Sequence, residues 1–549
     1  VATFGTTARR GGAWLPLISA TALAGTASSL ALPSVLGHAV DAVVAGTGSD
    51  RWLAWAAGLI ALSVAVNLIG VYAGAICVAD VTAWLRQRLI AHLLGVGPRS
   101  STRFDTGDLI SRVTSNAAEA AQAGPSVVAV GTALVPPVGS LVLLALIDPW
   151  VAAAFLGGLA LVALVLTTFT RRTSDVMSRY QREQGQLAAR LTESLAGART
   201  IAAAGTAEQE EQRVLAPLPQ LHEYGAMIWQ VLSRSSGQAA VVGPLVQVVV
   251  LAAGGLAVVH GRISAGELFA ASQYALLGAG LGGLTGVLGR LARTKAGVRR
   301  ADEVLTEAVL DYGLRALPNG PGMLELRGVT VRMGDAPVLH AIELTLPGGA
   351  EVALVGPSGA GKSVLAAAAA RLLDPDEGVV LLDGVPLREL RHDTLRAAIG
   401  IAFERPVLLG RTVGEAISAG RNPGMELWAA TATRAHDFIS RLPDGYRTAL
   451  ADAPMSGGEA QRLGLARAWP ASRLLVLDDA TSSLDMVTEM QISRALSEHH
   501  GERTRLIVTH RAAVAARADL VVWLVAGRIR AVGRHEWLWD NPDYRAVFQ

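Results

Sequence analysis

The sequence predicts a chain in two parts: an all-α transmembrane domain of six helices with long cytoplasmic helical extensions, then an α/β P-loop domain. Three observations carry that prediction. Of 549 residues, 51% are hydrophobic and only 17% are charged, where ordinary water-soluble chains carry about 25% charged residues. The apolar excess is confined to the first half and falls into stretches of roughly 20 residues, the length of helix that crosses a ~30 Å hydrocarbon core. The second half has an ordinary composition and contains an apolar strand that runs into a glycine-rich loop. A single water-soluble domain is excluded, and a net charge of +2 leaves no electrostatic footprint for nucleic acid.

Taken in order, the apolar stretches are residues 14–37, 52–79, 126–147, 150–170, 238–259 and 269–289. Pro16, Pro33, Pro125 and the pair Pro136–Pro137 lie in or beside them, as membrane helices tolerate when neighbours re-satisfy the freed carbonyls. The connections at 45–51, 148–149 and 260–267 are short and poor in arginine. The other set is long and basic, with Arg86, Arg88, Arg99, Arg103 and Arg112, then Arg171, Arg172, Arg179 and Arg182. The positive-inside bias places the N-terminus, the long connections and the second half in the cytoplasm. Residues 81–124 and 171–237 keep a helical, amphipathic pattern, so they read as levers continuing the spans beyond the bilayer, with simple large cytoplasmic loops as the alternative. Cys77 is the single cysteine, which rules out an intramolecular disulfide within the chain.

The predicted boundaries are a membrane domain over 1–309, a Pro/Gly-rich linker over 310–322 and a nucleotide-binding domain over 323–549. Alternating apolar residues Leu324, Leu326, Val329, Val331, Val338 and Ile342 predict a small antiparallel layer. Residues 351–355 form an apolar strand followed by Gly356-Pro357-Ser358-Gly359-Ala360-Gly361-Lys362-Ser363 and an Ala-rich helix. That is G-x-x-x-x-G-K-[ST] in its required context. Glycines let backbone N–H groups surround phosphates, the helix start adds partial positive charge, and Ser363 offers a hydroxyl to Mg²⁺. Lysine occurs only at Lys295 and Lys362 in a chain with 48 Lys plus Arg. Lys362 persists because the cradle needs a compact point charge rather than a planar guanidinium. A second apolar strand, 474–477, ends in Asp478 and Asp479, and an acid there suits the metal of a nucleotide site.

At this point the chain resembles the ATP-binding cassette family, and as a whole it resembles a half-transporter of the exporter-type, six-span fold. Met455-Ser456-Gly457-Gly458-Glu459 resembles the cassette signature, residues 480–485 the loop that crosses the cassette dimer, and His510 the switch histidine. In the membrane half, residues 107–112, 193–200 and 260–267 resemble the family's extension and outer-loop patterns, with coupling helices expected near 101–116 and 204–213. The resemblance implies two cassettes closing head to tail, with ATP and Mg²⁺ between one chain's cradle and the other's signature. It assigns ATP to Met333, to residues 356–363, to Glu404 and to Asp478. It assigns the metal to Ser363, Glu404 and Asp478, and hydrolysis to Asp479 and His510.

Departures from the family pattern sharpen this reading. Asp479 stands where the family has a glutamate base; the missing methylene draws the carboxylate back by ~1.5 Å, and a ~1 Å misplacement costs about 100-fold. Glu404 replaces a glutamine and has no amide hydrogen to donate. Met333 replaces the aromatic that stacks on adenine, and the stretch 450–454 is short. The first three of these losses fall on this chain's own site, while the short 450–454 stretch puts contact with the partner's coupling helix in doubt and Ser456, Gly457 and Gly458 of the signature are intact. The pattern implies the degenerate-site subunit of a bacterial heterodimeric exporter in the inner membrane, with a homodimer of two slow sites as the alternative. Few polar residues mark the spans, Asn67, Gln247, Gln273 and Tyr274 among them, which implies a hydrophobic or amphipathic cargo: a small molecule, lipid or peptide-like compound. Two other readings stay open, a metal-chelate or siderophore importer of the same architecture and a regulatory cassette protein that moves nothing.

Overall fold

The computed structural model describes residues 4–98, 104–279, 282–334, 336–420, 424–498 and 502–549, without the side chains of 161–178, 231–232, 234–242 and 282–285. Arg99, Arg103, the start of the first expected coupling helix and residues 280–281 of the expected span 269–289 lie outside the described residues, as do the side chains of Arg171, Arg172 and parts of the spans expected at 150–170 and 238–259. The chain forms two compact units, one of residues 1–91 and 107–306, the other of 92–106 and 307–549.

The first unit is helical throughout. Its elements are α1 (Phe4–Arg9), α2 (Trp14–Val44), α3 (Asp50–Val96), α4 (Thr106–Ser111), a π-turn (Arg112–Asn116), α5 (Ala117–Ala121), α6 (Ala123–Ala133) and α7 (Val135–Ile147). They continue with α8 (Pro149–Ala196), α9 (Ala198–Ala204), α10 (Ala207–Leu215), α11 (Leu218–Val259), α12 (Ala265–Ala279) and α13 (Gly282–Leu305). Among the described residues, Trp14–Val44, Asp50–Val96 and Thr106–Ile147 are long and apolar enough to cross a membrane. Only 6% of the apolar window of Asp50–Val96 is buried, so its Leu, Ile and Val side chains need a non-aqueous surrounding. At 1.5 Å per residue, the 47 residues of α3 extend for about 70 Å, well past the apolar stretch, as a lever requires.

Local chemistry sets the helix ends. The expected span at 126–147 is interrupted at Leu134, because Pro136 and Pro137 supply no N–H to the preceding turn. Asp148 caps α8: its carboxylate accepts from the N–H groups of Trp150 at 2.8 Å and Val151 at 3.2 Å, with Pro149 following at the first helical position, where its missing N–H is harmless. Asp148 is buried and also pairs with Arg262 at 3.2 Å. Helices α2 and α12 touch backbone to backbone at Gly37 and Gly266, where a Cβ on Gly266 would fall on the Gly37 carbonyl oxygen; small residues permit such close approach in membranes. Asp41 completes that contact by accepting from the Ser264 hydroxyl at 2.6 Å and the Gly266 N–H at 2.7 Å. The buried Arg112 of the π-turn donates to Asp108 at 2.7 Å, to Glu303 at 2.9 Å and to the Arg300 carbonyl at 2.7 Å, tying the turn to α13.

The second unit contains two sheets. A four-stranded antiparallel layer has the order β2 (Ala336–Leu346), β1 (Leu324–Met333), β4 (Glu377–Leu382), β5 (Val385–Pro386). A six-stranded sheet has the order β10 (Arg528–Gly533), β9 (Leu520–Val525), β3 (Glu351–Val355), β8 (Thr504–Val508), β7 (Leu474–Asp478), β6 (Ile399–Phe403). All neighbours in it are parallel except β10 with β9. The near-continuous apolar runs of β3 and β7 follow from burial on both faces. Helix α14 (Lys362–Ala369) buries Leu365, Ala366, Ala368 and Ala369 between the two sheets. A second core gathers Trp469, Phe438, Ile439 and Leu463 beneath the helices inserted between β6 and β7.

Residues 311–315 are packed on this unit rather than left loose. Gly313 and Arg315 donate N–H bonds to the Arg388 and Glu389 carbonyls at 2.9 Å each. The buried Arg371 donates to the Asp311 and Leu387 carbonyls and lies 4.6 Å from the Tyr312 ring centre.

Candidate functional site

In an open parallel sheet the ligand crevice lies outside the carboxyl ends of the strands. Here β3, β8, β7 and β6 are successive neighbours, with Leu354 opposite Val508, Val508 opposite Asp478, and Asp478 opposite Phe403. The residues just past those ends come from four distant parts of the chain: Gly356, Thr509, Asp479 and Glu404. Strand order alone brings them to one edge.

The phosphate loop follows β3 with no spacer. A Cβ on Gly356 would land on the Leu524 carbonyl oxygen, and Gly361 has φ = 98°, so both positions require glycine. Lys362 is buried, and its ammonium donates to the carbonyls of Gly356 at 2.7 Å and Pro357 at 3.0 Å. It is held inside the loop, at the start of α14, where helix dipole and backbone N–H groups favour phosphate. Burial pushes its pKa down, while the charges of Asp479 and Asp478 push back up. The Ser363 hydroxyl donates to Asp478 at 3.1 Å. A hydroxyl and a carboxylate at that spacing suit Mg²⁺, which takes one or two protein oxygens and completes its shell with phosphate oxygens and water. The residues present therefore fit the metal.

Asp478 and Asp479 both have pKa values raised first by burial. For Asp478 the Ser363 hydrogen bond opposes that rise and the charges of Asp479 and Glu404 add to it. For Asp479 the charges of His510 and Lys362 oppose it and Glu404 adds. Asp479 has φ = 48°, the left-handed region that Asp tolerates better than most residues, and lies 3.6 Å from His510 Nε2. Glu404, Asp479, Ser482, His510 and Arg511 line one cavity of about 330 Å³. Met333 sits at the tip of the β1–β2 hairpin, 38% exposed; the part of that hairpin against the cradle is Val338 and Leu339, beside Gly361.

Ser456 caps α15 (Gly457–Ala468) in a capping box: its hydroxyl accepts from the Glu459 N–H at 3.3 Å, and the Glu459 carboxylate accepts from the Ser456 N–H at 2.8 Å. That backbone hydrogen bond is the main cause of a lowered Glu459 pKa. Gly457 faces open space, whereas a Cβ on Gly458 would meet the Ser483 carbonyl at 3.1 Å. Met455, at the start of the signature, is partly buried against the core beneath the inserted helices.

The structure adds a residue that the sequence reading left without a role. Gln461, 2% exposed, donates to the Glu404 carbonyl at 2.7 Å and the Ser482 hydroxyl at 3.0 Å, and accepts from the Ser483 N–H at 2.9 Å. One amide thus joins the signature helix to both loops of the nucleotide site. Its signal in sequence was a glutamine on the face of α15 that carries Leu465 and Ala468, where a buried polar group needs partners. Arg511, paired with Glu489 and donating to the Ser482 carbonyl at 3.2 Å, fixes the same loop from the other side.

Residues 15–279 match the ABC transporter transmembrane region, and residues 339–482 match the ABC transporter family model. Across 537 residues the chain is 45% identical to the ABC transporter ATP-binding protein RamA of Streptomyces coelicolor, covering 97% of this chain and 84% of that protein. The chain belongs to the ABC transporter family. It is also 32% identical to a multidrug efflux ATP-binding/permease protein of Mycobacterium tuberculosis over 96% of its own length, which is 45% of that longer protein. A bacterial Atm1-family ABC exporter solved with ATP bound superposes at a TM-score of 0.72 with 25% identity, covering 98% of this chain and 97% of that one. The ABC transporter described here is therefore a multi-pass membrane protein of the exporter-type fold whose cassette binds ATP and couples it to transport. One membrane domain and one cassette make a half-transporter, which implies pairing with a second half.

Proposed function

We propose that this ABC transporter is the degenerate-site subunit of a heterodimer that exports a hydrophobic or amphipathic compound across a bacterial inner membrane. The observation that carries the reading is Asp479: a base one methylene short, in the left-handed region and 3.6 Å from His510. Asp478 and Ser363 would hold Mg²⁺, with Glu404 adding a carboxylate nearby, and the bound ion would supply positive charge against the phosphates. Lys362 and the loop N–H groups orient ATP, Met333 lies against the base, Asp479 positions water poorly, and His510 contacts the γ-phosphate. This chain's own site binds ATP and hydrolyses it weakly, while Ser456, Gly457 and Gly458 complete the partner's competent site.

Six spans, with the N-terminus and cassette in the cytoplasm, carry the motion. The short helices α4 and α10 supply the coupling contacts, within a membrane domain of 1–309, a linker of 310–322 and a nucleotide-binding domain of 323–549. The likeness to a multidrug efflux protein supports outward transport of an amphipathic cargo over metal-chelate import. In the spans, the Gln247 amide donates to Ser272 at 2.9 Å and the Tyr274 hydroxyl to the Leu30 carbonyl at 3.0 Å, so both serve helix packing; Asn67 is exposed and Gln273 half-buried. The test compares Asp479→Ala in this chain with removal of the partner's catalytic glutamate in the purified complex. Loss of ATP turnover only in the second case is expected. Abolition by Asp479→Ala alone overturns the asymmetric assignment.

A further inference from the structure

We propose that Arg10, Trp84 and Arg88 form a binding site for the phosphate of an anionic phospholipid head group at the inner face of the membrane. The two guanidinium carbons lie 5.4 and 5.5 Å from the centre of the same indole ring, Arg10 from the turn after α1 and Arg88 from α3. Both arginines are exposed, and among the described residues neither has an acidic partner. Neighbouring arginines are committed elsewhere: Arg86 donates to the Val113 and Thr114 carbonyls at 3.2 and 3.1 Å, and Arg112 pairs with Asp108 and Glu303. Arg86 and Arg112 are thus occupied within the protein, while the guanidiniums of Arg10 and Arg88, both beside one ring, stay available to an outside anion.

Placement follows from the sequence and the packing. A Cβ on Gly11 would meet Cys77 Sγ at 3.0 Å, so the turn after α1 is seated on α3 two helical turns before Trp84. The apolar stretch of α3 ends at Ala79; at 1.5 Å per residue Trp84 lies about 7.5 Å further on, the depth of the head groups outside the hydrocarbon core. Arg88, one turn below Trp84, projects back toward the start of its helix, as helical side chains do, and therefore toward the bilayer. Tryptophan is favoured at this depth, and a flat aromatic fixes an arginine's fork without consuming its donors. A phosphodiester with net negative charge matches two unpaired guanidiniums; a zwitterionic head group brings its own cation and gains less. The assignment to the inner face rests on the cytoplasmic orientation proposed above, but binding itself does not.

The test therefore uses the detergent-solubilised full-length transporter, where orientation plays no part. Phosphatidylglycerol, phosphatidylcholine and inorganic phosphate are titrated separately and bound species are counted by native mass spectrometry. Phosphatidylglycerol is expected to bind more tightly than phosphatidylcholine, and inorganic phosphate not to displace it. Each arginine near an anionic head group contributes about a fivefold gain, so Arg10→Gln with Arg88→Gln is expected to cut phosphatidylglycerol affinity about 30-fold and leave phosphatidylcholine unchanged. Trp84→Leu, which keeps both charges, is expected to lose part of that affinity, and it decides the matter should the double variant not fold. Equal binding of the two lipids, displacement by phosphate alone, or unchanged phosphatidylglycerol binding in the variants overturns the proposal.

Discussion

Gln461 shows how much one buried amide can organise. Its three hydrogen bonds reach the loop after β6, the loop after β7 and, through its own helix, the signature. Gln461→Met, close in shape to glutamine, leaves the Glu404 carbonyl, the Ser482 hydroxyl and the Ser483 N–H unmet. An unsatisfied buried group costs about 1–3 kcal/mol, and partial access to water at these loops sets the expected loss near ~2 kcal/mol. A lowered thermal midpoint of the cassette, read by a tryptophan or dye-binding melt, checks this, and an unchanged midpoint refutes it. At the same scale, Asp479 was legible as a departure from the family pattern, but its left-handed backbone was not. A φ of 48° is imposed by the turn between β7 and the following loop, where the Asp479 N–H donates to the Val508 carbonyl at 3.3 Å.

Helices α8 and α10 are joined by a polar cluster. Arg213 pairs with Glu210 at 2.6 Å and Glu193 at 3.0 Å, and the Ser194 hydroxyl donates to Glu210. The Arg213 and Ser194 hydrogen bonds hold the Glu210 pKa down to about 2, from an ordinary 4.5. A carboxylate depressed in the folded state stabilises above its unfolded pKa and loses that contribution as pH falls through the folded value. The junction is exposed, so the effect is local. Protection of the 190–215 amides, as the ratio of intrinsic to observed exchange at each pH, is expected to hold down to about pH 4.5 and to fall between there and about pH 2. Glu210→Gln is expected to show the lower protection already at neutral pH; identical protection in both proteins refutes the cluster's role. The helices themselves were readable from their period, whereas the break at Leu134 inside the expected span 126–147 emerged only from the structure. The pairing of Glu210 with Arg213 has the three-residue spacing of a helix neighbour, but its reach to Glu193 depends on the chain turning back at Gly205, whose φ is 66°.

For the whole molecule, the head-to-tail closure proposed above would bring this cassette's signature against the cradle of a second cassette. Gly457 offers a clean probe, since a side chain there meets nothing within 4 Å in its own chain. Gly457→Asp is expected to leave the fold and ATP binding at this chain's cradle intact while lowering ATP turnover of the dimer at least 10-fold, because a carboxylate then faces phosphate. Equal turnover in the variant and the parent, measured on the purified dimer, refutes the head-to-tail placement of this signature. The comparison also marks where sequence ends and tertiary structure begins. Composition and the length of the apolar stretches determined by themselves that the chain enters a membrane, and the strand–glycine loop–lysine–helix order determined the phosphate cradle, because both rest on neighbours along the chain. Only the tertiary structure decided that Glu404, Asp478 and Asp479 share one field, that Gln461 binds the loops around them, and that Arg10 and Arg88 both lie beside the Trp84 indole. Those relations depend on strand order and on the seat of one helix on another, and burial turns them into chemistry by removing the water that would otherwise screen each group from the next.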